Sequence, residues 1–150
     1  PNDAHRLPRV RRMTPVNDPV PAPAAPDSLY DRLGGQPGLD RLAASFYRWM
    51  DRMPEAAAVH AMHRLPMPEV ETRLAHFLSG FFGGPDAYRP HYGEPMMRRR
   101  HFPFAIGVPE RDAWLACMRA ALADTVADEG LRAEAYAQVA RFAEHMRNRD

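Results

Sequence analysis

Residues 98–107 read RRRHFPFAIG: three arginines run into a single histidine, and an apolar stretch broken by a proline follows. A cation at the end of a short helix is favoured by the helix dipole, so His101 could simply cap such a helix among solvated arginines. The alternative is that His101 binds a ligand with a flat apolar body and an anionic rim, which needs a nitrogen donor, nearby guanidinium groups and an apolar wall together. Of the seven histidines, only His101 stands between an arginine cluster and an apolar turn.

On both sides of this stretch the apolar pattern is helical and punctuated by Gly and Pro, with no strand-like alternation, which predicts an all-α domain. A short helix, SLYDRL from Ser28, stops at Gly34-Gly35. The next opens at Pro37 and carries Leu39, Leu42, Phe46, Met50 and Met53 at spacings of three and four, one stripe for the core. Pro54 restarts the chain as PEAAAVHAM, and HRLP ends it. Pro68 begins a helix with Val70, Leu74, Phe77, Leu78 and Phe81 on one side, terminated by GGP at 83–85. The loop DAYRPHYGE then leads into a brief MMRRRH helix. Two longer helices close the chain: VPERDAWLACMRAALADTVADEG, with Trp114, Met118, Ala121, Leu122 and Thr125 in register, and LRAEAYAQVARFAEHMRNRD, with Tyr136, Val139, Phe142, Ala143 and Met146.

A length of 150 residues suits one domain. The formal net charge is +1, and all 20 basic residues are arginine, a compositional bias that makes their number uninformative about nucleic acid. The single cysteine, Cys117, excludes an internal disulfide, thioether attachment of a cofactor through a cysteine pair, and a thiolate zinc cluster. No run approaches the length of a membrane span and no signal-peptide core is present, so no membrane association and a cytoplasmic location are expected. Seven of the 16 prolines fall within residues 1–26, where large apolar residues are few, so that segment is expected to be a flexible Pro/Arg-rich extension, with the globular domain over 27–150.

Residues 79–118, SGFFGGPDAYRPHYGEPMMRRRHFPFAIGVPERDAWLACM, resemble the second group of the truncated haemoglobins, and LYDRLGG and FYRWMD stand where that family has them. The resemblance runs from Ser28 to about Arg147. Phe102 and Ala105 replace the leucine and proline common in the family, and Tyr92 and Glu94 stand where histidines are frequent. It implies an abbreviated globin fold, a 2-over-2 helical sandwich around a b-type haem, with the proximal helix reduced to about one turn.

The resemblance also assigns residues. His101 is the axial iron ligand, with Nδ1–H given to a backbone carbonyl that sets tautomer and orientation. Arg100 and Arg73 would pair with the haem propionates, Tyr88 would reach one of them, and Arg98 and Arg99 would be solvated. Met97, Phe77 and Phe104 would pack against the porphyrin. Tyr47, Trp114 and His63 are the expected donors to a bound ligand. Val70 and Leu74 are apolar where other globins carry a polar distal group, so the hydrogen bonds fall to Tyr47 and Trp114. Cys117 is expected to be an inert buried thiol.

The implied function is binding of O2, with NO and CO, at a five-coordinate haem. A strongly hydrogen-bonded ligand leaves too slowly for transport, which points to storage, sensing, or detoxification of NO or peroxide with an unidentified reductase, in a monomer or homodimer. The alternative is a helical adaptor without haem whose arginines contact nucleic acid or a protein. Nucleic acid is not the expected partner, because Phe77, Phe104 and Trp114 lie on inward faces and acidic residues dilute the positive charge.

Overall fold

Ser28 starts the first helix by accepting the Asp31 amide on its hydroxyl at 3.2 Å. The computed structural model describes residues 28–150, so the extension expected over 1–26 lies outside the described residues. Helix α1 spans Leu29–Arg32. Gly34 and Gly35 then take positive φ (98° and 64°) to turn the chain into α2, Gly35–Arg52, which begins two residues before the proline that marks it in sequence. A Cβ on Gly38 would overlap the carbonyl oxygen of Leu33, so the α1–α2 corner closes only over glycine.

The α2 stripe behaves as its spacing predicts: Leu39, Leu42, Phe46 and Met50 are buried. A 3-10 turn, Pro54–Ala56, and α3, Ala57–Ala61, occupy the PEAAAVHAM stretch. Helix α4, Met67–Phe81, carries Pro68 in its first turn, where the missing N–H costs nothing. The segment expected to be a plain loop holds a single helical turn, α5, Arg89–Tyr92. The Asp86 carboxylate starts it by accepting the amides of Tyr88 and Arg89 at 3.2 and 3.1 Å. Helix α6, Met97–His101, is five residues long.

Helices α7, Val108–Thr125, and α8, Glu129–Met146, are both shorter at their C-termini than the sequence pattern implies. The alanine-rich run through ADEG favours continued helix. Val126 nevertheless leaves it, and the Asp128 carboxylate caps α8 by accepting the Leu131 amide at 2.8 Å. Helix α8 stops at Met146, and Arg147–Asp150 turn back towards α6.

Helix α2 packs on both α4 and α7, and α7 packs on α8, giving two helix pairs joined along α2 and α7. Phe46, Leu39, Leu42, Met50, Leu78, Met118 and Leu122 are buried at the junction, each stabilising by about 1.5–3 kcal/mol relative to exposure. Asp124 of α7 locks the crossing by accepting the Trp49 indole N–H at 2.7 Å and the Ser45 hydroxyl at 3.0 Å. Among the described residues no helix is long and apolar enough to cross a membrane.

Candidate functional site

A cavity of about 440 Å3 lies between α4, α6 and α7, within the range of sites for small molecules and cofactors. All of the residues expected at the site line it: Tyr47, His63, Val70, Arg73, Leu74, Phe77, Tyr88, Met97, Arg100, His101, Phe104 and Trp114. Met62, Arg64, Leu65 and Phe142 complete the wall. An adjoining chamber of about 150 Å3 shares Met62, His63, His101, Phe104, Trp114 and Phe142, and extends to Ile106, Glu110 and Met146.

His101 ends α6 with its imidazole half-buried in this wall. The ring Nδ1 lies 2.6 Å from the carbonyl oxygen of Met97, one turn back, and must donate the hydrogen because the carbonyl can only accept. In the neutral ring Nε2 then carries the lone pair, and among the described residues it makes no hydrogen bond.

Tyr47 is buried on α2 and sits edge-on to Phe46, which sits edge-on to Trp114, with ring centroids 4.9 and 5.1 Å apart. Burial, and secondarily the Glu71 carboxylate, push the pKa of the Tyr47 hydroxyl far up, so it remains a neutral donor. The Trp114 indole N–H has no acceptor among the described residues, although the ring lines the cavity.

His63 follows α3. Its Nδ1 donates to the carbonyls of Val59 (3.0 Å) and His60 (3.3 Å), which places its lone pair on Nε2, 3.5 Å from the Tyr47 hydroxyl. Burial lowers the His63 pKa, against the raising effect of those two carbonyls. A neutral His63 of this tautomer accepts from Tyr47 and has no Nε2–H of its own to give. The expectation that His63 is a third donor is thus narrowed to a partner for the tyrosine.

The rim on the α4–α6 side is cationic and aromatic. The Arg73 guanidinium lies 4.6 Å from the Tyr92 ring centroid and that of Arg100 lies 5.6 Å from the Tyr88 ring. Tyr88 is buried in the wall. Arg100 also holds the preceding loop, with Nε donating to Pro95 (2.7 Å) and Nη2 to the carbonyls of Tyr92 (2.9 Å) and Glu94 (3.0 Å). Arg98, expected to be solvated, is exposed and also donates to the carbonyls of His145 (2.6 Å) and Arg147 (3.2 Å).

Sequence reasoning did not find Arg64, whose guanidinium lies 5.3 Å from the Phe104 ring, because it sits in the non-helical HRLP corner where no periodicity assigns a face. Phe142 was legible only as core. Cys117 is buried 3.8 Å from the Met53 sulfur with its pKa pushed up to about 11 by burial, so it stays an unreactive thiol.

This arrangement fits haem: an imidazole with an open Nε2, apolar and aromatic walls, and arginines at one edge suited to carboxylates. The bacterial-like globin family model matches residues 28–148. The chain belongs to the group II truncated haemoglobins. It is 33% identical over 115 residues to the group 2 truncated haemoglobin YjbI of Bacillus subtilis, a match covering 76% of this chain and 84% of that protein. It is similar in structure to the group II 2-on-2 haemoglobin of Agrobacterium tumefaciens, with TM-score 0.78, 39% identity, and coverage of 85% of this chain and 98% of that one. The cold-adapted truncated haemoglobin of Pseudoalteromonas haloplanktis TAC125 also matches with TM-score 0.78, at 35% identity over 83% of this chain and all of that one. As in that family, the two helix pairs form a 2-over-2 globin sandwich. Truncated haemoglobins bind haem b and, through it, gaseous ligands; the adaptor reading without haem is set aside.

Proposed function

We propose that this truncated haemoglobin holds its haem through Nε2 of His101 and binds O2 reversibly, with NO and CO as further ligands. The carrying observation is the His101 ring itself, which lines the cavity with Nδ1 tied to Met97 at 2.6 Å and Nε2 without a hydrogen-bond partner among the described residues. Arg73, Arg100 and Tyr88 would hold the propionate edge, while Phe77, Phe104, Met97, Val70 and Leu74 enclose the apolar body. When bound, the haem supplies an open coordination position for a diatomic gas.

The chain's own contribution is to retain that gas. Val70 and Leu74 offer no polar atom, so Trp114 and Tyr47 are the donors; the Tyr47 hydroxyl has one hydrogen, which His63 Nε2 accepts at 3.5 Å until a ligand arrives and which then turns to that ligand. A hydrogen bond to a charged acceptor stabilises by about 1.5–3 kcal/mol, which slows release by more than about ten-fold. Such retention favours storage, sensing or removal of NO or peroxide over delivery. Catalytic removal requires an electron donor, for which a reductase is the partner class.

Reconstitution with hemin tests the assignment. The wild-type protein should give a Soret band and, when reduced, a five-coordinate spectrum, whereas His101→Gly should lose hemin rapidly; full retention with an unchanged ferrous spectrum would refute it. Mixing the oxygenated protein with NO and a reductant tests the detoxification reading, which fails if consumption stops at one equivalent.

A further inference from the structure

The axial helix α6 cannot orient His101 unaided. Five residues are far below the length at which a helix is stable alone, and its start, at Met96 with φ 40°, has no side-chain cap. Its orientation is imposed from outside. Arg100 ties it to the loop before it, as described above.

The other side is gripped by the last residues of the chain. Beyond Met146 the backbone folds over the corner that follows His101, and Asn148 inserts its carboxamide there half-buried. Nδ2 donates to the carbonyl oxygens of His101 (3.2 Å) and Phe104 (2.9 Å), while Oδ1 accepts the Ile106 amide at 2.8 Å. The amides of Asn148 and Arg149 both donate to the Ile106 carbonyl, at 2.9 and 3.1 Å. Arg98 adds a strap from α6 to the end of α8. The residue bearing the imidazole is therefore held through its ring by Met97 and through its own carbonyl by Asn148.

Resting on His101 as the axial ligand, we propose that Asn148 is a positioning residue for it: one carboxamide, satisfying three backbone groups of the corner at 101–106, sets the tilt and height of the imidazole and thereby the axial bond. Asparagine suits the task because it donates and accepts at once. An aspartate would keep the shape and the acceptor but would set a carboxylate against two carbonyl oxygens.

The test is resonance Raman spectroscopy of the reduced, ligand-free holoprotein, read at the iron–histidine stretch. In N148A and N148D the band should shift or broaden, and hemin loss should accelerate by about ten-fold or more, with three hydrogen bonds lost in N148A and two in N148D. Acidification should return N148D towards the wild-type band by protonating the introduced carboxyl, and should leave N148A unmoved. Arg147→Ala, which removes the 3.0 Å pairing with Glu144 on the same segment, is the control for stability alone and should leave the band in place. If N148A does not fold, N148D and N148Q carry the same comparison, because both keep polar atoms at the corner.

A wild-type band that stays unmoved in the Asn148 variants, with only the melting temperature lowered as in the control, overturns the clamp. A wild-type protein with no iron–histidine band, or a band that survives in His101→Gly, overturns the ligand assignment and the clamp with it.

Discussion

At the scale of single residues, Trp114 lines the cavity half-buried, its indole N–H has no protein acceptor among the described residues, and an indole shielded from water gains by finding one. Trp114→Phe removes the donor while keeping an aromatic ring beside Phe46. O2 dissociation measured by stopped flow should accelerate by about ten-fold, the equivalent of about 1.4 kcal/mol. An unchanged rate would reduce Trp114 to packing. His63 makes a different prediction. Burial depresses its folded pKa, so from the unfolded value of about 6.5 down to the lower folded one, the unfolded chain binds a proton that the folded chain does not. The stability tied to the neutral ring is complete above about pH 6.5 and is lost as pH falls through the window below it. Urea unfolding at pH 7.5 and 5.5 should show a larger acid loss for wild type than for His63→Gln, and equal losses would contradict the assigned cause.

At the scale of elements, the joint between α2 and α7 rests on one carboxylate. Asp124 accepts from both Trp49 and Ser45, and Ser45 is fully buried, so removing the acceptor leaves a buried hydroxyl without its partner. Asp124→Ala should destabilise the fold by about 1–3 kcal/mol with an unchanged denaturant slope. A midpoint equal to wild type would show that the apolar contacts alone hold the crossing. The short helices behave differently from the long ones. Helices α5 and α6 have no buried stripe of their own, and each is placed by hydrogen bonds with neighbouring segments: Asp86 accepts from α5, while Arg98 and Arg100 of α6 donate outward and Asn148 donates to its last carbonyl.

At the scale of the whole molecule, the two helix pairs enclose an apolar cavity that a ligand of matching shape would fill. Anything that binds only the folded state stabilises it by mass action, by about 4 kcal/mol at a thousand-fold excess over the dissociation constant. Hemin should therefore raise the melting temperature of the apoprotein by several degrees or more, increasingly with its concentration. Calorimetry with and without hemin measures this directly, and identical melting curves would mean that the cavity is not the binding site. His101→Gly should shrink the increment.

The amino-acid sequence by itself determined the long helices and what they bury. The stripe from Leu39 to Met50 and the run from Val70 to Phe81 repeat every three or four residues, and glycine and proline punctuate their ends. It also marked His101, because the junction of arginine and apolar residues is a local feature. Tertiary structure alone decided what depends on distant partners. Helix α7 ends at Thr125 because Asp128 caps its successor, against the local preference of an alanine-rich run. Arg98 is a strap and His63 an acceptor only because of the carbonyls that face them. Asn148, which read as the continuation of a helix, owes its role to a corner 42 residues earlier in the chain. Periodicity records which side of a helix faces inward, whereas a hydrogen bond between remote segments leaves no repeating trace in the order of residues.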